Sequence, residues 1–168
     1  MSEVYVECMV KREGSSLMKL VKMVLIMITV VFAVLGLMRF AYGIPLFIAI
    51  LPGVGAYFAG IYAEVEYEYL YLDKELTVDK IFGKTSRKRV ATYEMERVEI
   101  IAGIKSYKLD DYKNRTVKTF DYSEGDKVQP DKRYVMYYEG NRKIIFSPNE
   151  AMLKALYNAA PRKVFIDR

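Results

Sequence analysis

The sequence predicts an α+β protein: an N-terminal transmembrane helical hairpin, then a small antiparallel β-barrel or sandwich, capped by a C-terminal amphipathic helix. Three observations carry this. Residues 40–63 contain no charged side chain, and the apolar run MVLIMITVVFAVLGLM at 23–38 lies just before them, separated only by Arg39. After Ala63 the apolar period changes from helical to alternating. Near the C-terminus, SPNEAMLKAL combines a helix start signal with a helical apolar face.

A bilayer core needs about 20 mostly apolar helical residues. The second run has the length for this. The first does so if it starts at Leu17 and lets Lys19 and Lys22 snorkel to the headgroups. The expected segments are therefore 1–16, a cytoplasmic N-terminal stretch; 17–38, the first span; 39–45, a short external turn; 46–63, the second span; and 64–168, a globular domain. A cleaved signal peptide is rejected: Glu3, Glu7 and Glu13 precede the run, and no small-x-small site follows Met38.

Lys11, Arg12, Lys19 and Lys22 precede the first span, and Lys74, Lys80, Lys84, Arg87, Lys88 and Arg89 follow the second. The positive-inside bias then puts both termini in the cytoplasm of an integral inner-membrane protein. Arg39, Tyr42, Gly43 and Pro45 read as the turn, with Phe40 and Tyr42 anchoring one interface and Tyr62 and Tyr67 the other. Pro52 predicts a kink. Gly55, Ala56, Ala59 and Gly60 form a small-residue face suited to helix packing. Neither span core holds an ionisable residue, which argues against an ion or proton pathway.

Composition narrows the chemistry. The 168 residues include no histidine and one cysteine, Cys8. Without histidine the usual general base near neutral pH and most zinc sites are lost, and one cysteine excludes an internal disulfide framework. The formal net charge of +5 is too small to indicate nucleic acid.

Seven strands are expected in antiparallel succession. In Glu64–Leu72, Val65, Tyr67, Tyr69 and Tyr71 face one way and Glu64, Glu66 and Glu68 the other. Asp73-Lys74-Glu75 turns into Leu76–Phe82, and Arg87–Thr92 follows. YEMER at 93–97 reads as a short turn before Val98–Ile101, and 104–117 as a long loop with some strand character. Lys118–Tyr122 comes next, and Arg133–Tyr138 and Arg142–Phe146 make a hairpin around Glu139-Gly140-Asn141. Residues 3–9 also favour a strand and are expected at the edge of this domain. Ser147, Pro148 and Glu150 read as a capping box opening a helix over 148–160, with Met152, Leu153, Leu156 and Ala160 on its apolar face and Pro161 as its stop.

Two N-terminal spans followed by EYEYLYLDKELTVDKIFGKTSRKRV, YEMERVEII and IIFSPNEAMLKALYNAAPRKVF resemble small bacterial membrane proteins with a cytoplasmic pleckstrin-homology-like domain. More narrowly, they resemble a domain-of-unknown-function family of Gram-positive bacteria. The resemblance implies a fold and a topology. It carries no catalytic residues, and the fold alone does not imply phosphoinositide binding.

Candidate sites are few. Lys19, Lys22, Lys80, Lys84, Arg87, Lys88 and Arg89 are offered as contacts to anionic lipid. Asp110 with Asp111, and Glu64, Glu66 and Glu68, lack the spacing of a calcium loop and read as solvated. Cys8 has no activating partner. Tyr93, Tyr107, Tyr112 and Tyr122 interleave with basic residues, but Asp110, Asp111 and Asp121 among them argue against a phosphate channel. No catalytic, cofactor-binding or metal residue is assigned. The expected function is a non-enzymatic, membrane-anchored binding or scaffold module. Its partners are the lipid bilayer and another membrane or cytoplasmic protein, with no nucleic acid. The alternative is a small subunit that assembles through its helices with a transporter, another membrane complex or copies of itself.

Overall fold

A computed structural model describes residues 5–12, 16–38, 42, 44–84, 86–126 and 128–166. The chain forms two compact units, one of Met1–Arg12, Glu66–Ile81 and Arg87–Arg168, the other of Glu13–Val65 and Phe82–Ser86. Glu3, Glu13, Arg39, Phe40 and Gly43, named above, lie outside the described residues.

The helical unit contains α1 (Ser16–Leu37), α2 (Ile44–Ile48) and α3 (Ile50–Ala63). Pro45 belongs to α2 and not to the preceding turn. A proline fits the first helical turn, where its missing N–H would lack a partner anyway. The interruption between α2 and α3 falls at Ala49, just upstream of Pro52. Pro52 has no N–H for the Ile48 carbonyl, and its ring crowds that same carbonyl. Ala49 stays helical in dihedrals, and Gly53 N still donates to Ala49 O at 3.2 Å, so the helical path continues through the interruption.

In the β-rich unit, β1 (Val6–Arg12), β2 (Val65–Leu72), β3 (Glu75–Phe82) and β4 (Ser86–Glu94) form one sheet in that order. The sequence β5 (Val98–Gly103), β6 (Lys118–Asp121), β7 (Tyr134–Tyr138) and β8 (Arg142–Phe146) forms the other, ordered β5-β7-β8-β6. Asp73 and Lys74 take positive φ, 49° and 65°, in the β2–β3 turn, as Glu139 and Gly140 do, at 51° and 71°, between β7 and β8. Two consecutive left-handed residues match the twist of paired strands.

Antiparallel pairing throughout is corrected at one place: β6 runs parallel to β8, with Phe120 opposite Ile144. The long connections on both sides of β6 carry it across to the outer side of β8, which a tight hairpin could not do. Residues 104–117 also differ from expectation. They contain a 3₁₀ segment, Tyr107–Tyr112, whose Leu109 packs with Ile100, Ala102, Val135 and Tyr137. Met95–Arg97 is a second short 3₁₀ turn.

Tyr67, Tyr69 and Tyr71 of β2 are buried with Leu76 and Val78 of β3, as alternation requires. Tyr67 is thus a core residue and not an interfacial anchor. The Tyr69 hydroxyl donates to Tyr122 O at 2.6 Å and accepts from Ser147 N at 3.3 Å, so this buried polar group is satisfied. Its desolvation pushes the phenol above its ordinary pKa.

Helix α4 (Glu150–Ala159) buries Met152, Leu153, Ala155 and Leu156. Its N-cap is Asn149, whose Oδ1 accepts from Met152 N at 2.8 Å. The expected cap, Ser147, sits two residues too early, and its Oγ is buried without a hydrogen-bond partner among the described residues. Asparagine caps at least as well as serine, and it displaces the predicted capping box by two positions.

Candidate functional site

The helices and the basic strand β4 are the two places where the sequence concentrates unusual residues. At about 1.5 Å per residue, the 22 residues of α1 span roughly 33 Å and the 20 of Ile44–Ala63 roughly 30 Å. Both are long and apolar enough to cross a membrane, and only 6% and 22% of their most apolar windows are buried within the chain. Leu17, Met23, Met27 and Val31 on α1 and Leu51 and Tyr57 on α3 are exposed. Thr29, the one hydroxyl within the α1 apolar run, donates to Leu25 O at 2.8 Å, which satisfies it without water.

The small-residue face on the second helical segment packs inside this unit. A Cβ added to Gly55 would lie 3.4 Å from Leu25 Cδ1, and one at Gly60 would lie 3.1 Å from Lys22 Nζ. Ala56 is buried and Ala59 partly so. Lys22 therefore runs its stem across Gly60, while Lys19 is exposed. Gly36, which the sequence reading passed over, makes the tightest approach: an added Cβ would lie 2.7 Å from Leu46 N and 2.8 Å from Leu46 Cβ. The available signal was a lone glycine among large apolar residues, close to the end of its span.

On β4, alternation places Arg87 and Arg89 on one side and Lys88 on the other. The two arginines meet carboxylates on other strands of the same sheet, Arg89 on the adjacent β3 and Arg87 across it on β2. Arg87 Nη2 contacts Glu68 Oε2 on β2, and Arg89 Nε lies 3.5 Å from Asp79 Oδ1 on β3. Glu68 is 1% exposed and Asp79 is buried as well. The row of glutamates read as a solvated strand face is thus corrected at Glu68, which lies beneath a guanidinium. Neither contacting oxygen has a hydrogen bond of standard geometry among the described residues. The guanidinium charges are therefore what offsets their desolvation. Burial pushes the Glu68 carboxyl above its ordinary range, a hydrogen bond with Glu7 adds to the rise, and Arg87 opposes it. Opposite charges on one sheet face, one strand apart for Arg89 and Asp79 and two for Arg87 and Glu68, were a signal that could be read only once the strand order was known.

Arg87 and Arg89 are consequently engaged within the protein. Lys80 is partly buried near the Tyr67 ring, 5.9 Å from its centroid, and burial lowers its pKa. Lys84 and Lys88 are exposed.

The remaining candidates dissolve into structure. Asp110 pairs with Lys113 at 2.6 Å, and Asp111 is exposed. No group of three or more potential metal ligands occurs among the described residues. Tyr93 and Tyr122 are core residues, so the four interleaved tyrosines form no stacking platform. Cys8 is buried, and its thiol is pushed upward by desolvation, away from reactivity.

Compared with known proteins, the family described as Bacterial PH-like domain (DUF6106) matches residues 2–166. No curated protein and no solved structure matches the chain.

Proposed function

Because the chain belongs to the bacterial PH-like domain family, we propose that it is a membrane-anchored, non-enzymatic binding or scaffold module that holds this domain at the inner surface of the cell membrane. The observation that carries the reading is the exposed apolar surface of α1 and of Ile44–Ala63, followed after a single residue, Glu64, by the first strand of the domain. Left in water, two such helices would present a far larger apolar patch than soluble proteins tolerate. Lipid is the solvent that suits them.

In this reading both termini are cytoplasmic, and the domain gains a high effective concentration toward partners at the membrane. Lys19, Lys22, Lys84 and Lys88 supply contacts to anionic headgroups, each worth about 1 kcal/mol. Arg87 and Arg89 contribute to the local field while holding Glu68 and Asp79. Support for a non-enzymatic role comes from the absent histidine and from the fate of the acidic pairs, which are solvated or ion-paired.

Alkaline carbonate extraction of native membranes tests the anchor. The full chain is expected in the membrane pellet after the wash, as for an integral protein. Its appearance in the carbonate supernatant would overturn the reading.

A further inference from the structure

A groove of about 840 Å³ lies in the β-rich unit, between the N-terminal half of α4 and the ends of β5 and β7. Its floor is apolar: Ile104, Tyr134, Pro148 and Leu153. Its rim is cationic. Lys105 follows β5, Lys132 precedes β7, and Lys154 projects from α4. All three are exposed, and none makes an ion pair among the described residues.

The other charges at the groove largely cancel. Arg133 donates from Nε and Nη2 to the two carboxylate oxygens of Asp131, at 2.8 and 2.9 Å, and this pairing holds the Asp131 carboxyl below its ordinary range. Glu150 opens α4, where the helix dipole favours a negative charge. Three lysines against one glutamate leave the rim positive.

We infer that this groove docks an acidic peptide segment of a partner protein, with an apolar side chain seated on the Ile104–Leu153 floor and carboxylates reaching Lys105, Lys132 and Lys154. An inorganic anion would have no use for the apolar floor. Three lysines contributed by three separate elements suit carboxylates spread along an extended chain. The volume lies within the range of specific ligand sites, about 300–1,000 Å³. Partner entry does not proceed by strand addition at Ile101, because Lys163–Phe165 already occupies that backbone: Ile101 N donates to Lys163 O and Phe165 N to Ile101 O, both at 2.8 Å. Recognition is thus by side chains in the groove.

The inference rests on the reading of this domain as a binding module, but not on its anchor. Carbonate extraction and the following experiment can therefore fail separately. The full chain is placed in zwitterionic phosphatidylcholine nanodiscs and titrated with a fluorescein-labelled peptide of alternating glutamate and leucine, about 12 residues long, read by anisotropy. Saturable binding is expected. It should weaken with salt and fall about tenfold or more in the triple variant Lys105→Glu, Lys132→Glu, Lys154→Glu. The milder triple change to glutamine, which keeps these exposed positions polar, is expected to give a smaller loss. Lys11→Glu with Lys74→Glu, at exposed positions on β1 and in the β2–β3 turn, is expected to leave the affinity unchanged. Absence of binding, equal loss in the Lys11/Lys74 variant, or affinity unaltered by both triple variants would overturn the proposal. So would displacement of the peptide by soluble short-chain phosphatidylglycerol, which would reassign the groove to lipid headgroups.

Discussion

Gly36→Val is expected to disrupt the packing of α1 on α2. An added Cβ meets the backbone nitrogen and Cα of Leu46 at 2.7 and 2.9 Å, and backbone cannot swing aside as a side-chain tip can. Helices in lipid gain little hydrophobic free energy from associating and depend on close contact, so lost contact is not replaced by another driving force. Overpacking of this kind costs about 1–3 kcal/mol. Gly55→Ala is the matched control, because its new methyl would stand 3.4 Å from the flexible Leu25 side chain. Thermal unfolding in mild detergent, followed by far-ultraviolet circular dichroism, should show a clearly lower midpoint for Gly36→Val than for Gly55→Ala. Equal midpoints would show that the Gly36 approach contributes nothing to the hairpin.

The second large effect concerns Arg87. Removing one partner of a buried ion pair costs about 3–5 kcal/mol. Arg87 itself is 54% exposed, so water already screens it, and about 2 kcal/mol is expected for Arg87→Met. The deficit should depend on pH. The Glu68 carboxyl is raised in the folded chain above its ordinary value of 4.5. Between those two values the folded state binds more protons than the unfolded state, so the corresponding stability is complete below 4.5 and is lost as pH rises through the folded value. Arg87 opposes the rise, and removing it moves the folded value further up. Relative to the parent chain, Arg87→Met should therefore lose most stability near pH 8 and least near pH 5, and Glu68→Gln should restore much of it. Denaturant unfolding at the two pH values measures this. A deficit independent of pH would show that Arg87 does not act through the Glu68 charge.

These two sites illustrate what was legible in the chain. Uncharged apolar length located α1 and the second helical segment, and period located all seven strands after Ala63 and the buried face of α4, because burial on one face is a local property of sequence. Alternation also separated Tyr67, Tyr69 and Tyr71 from the glutamates between them. It could not reveal that Glu68 is covered, since that depends on Arg87, two strands away in the sheet. The parallel placement of β6 was equally hidden: Lys118–Asp121 has the same alternation whichever way it runs beside β8. At the α4 start, Ser147 and Glu150 mimic a capping box while Asn149 makes the bond, a choice of two residues that propensity does not resolve.

The groove left still less trace. Lys105, Lys132 and Lys154 are scattered over 50 positions and become one rim only when β5, β7 and α4 converge. The basic stretch at Arg87–Arg89 was conspicuous by comparison, yet two of its three charges turn out to be engaged with buried carboxylates. A run of charge along a sequence reports composition. Its availability is decided by neighbouring strands.

Site-directed labelling of intact cells with a membrane-impermeant maleimide decides whether the helices cross the bilayer with the domain inside. The single native cysteine, Cys8, is buried and gives little background. Tyr42→Cys, at a fully exposed position between α1 and α2, should label in intact cells, whereas Tyr157→Cys on the exposed side of α4 should label only after lysis. Labelling of both in intact cells, or of Tyr157→Cys while Tyr42→Cys stays protected, would contradict a domain held at the cytoplasmic face by a membrane-spanning hairpin.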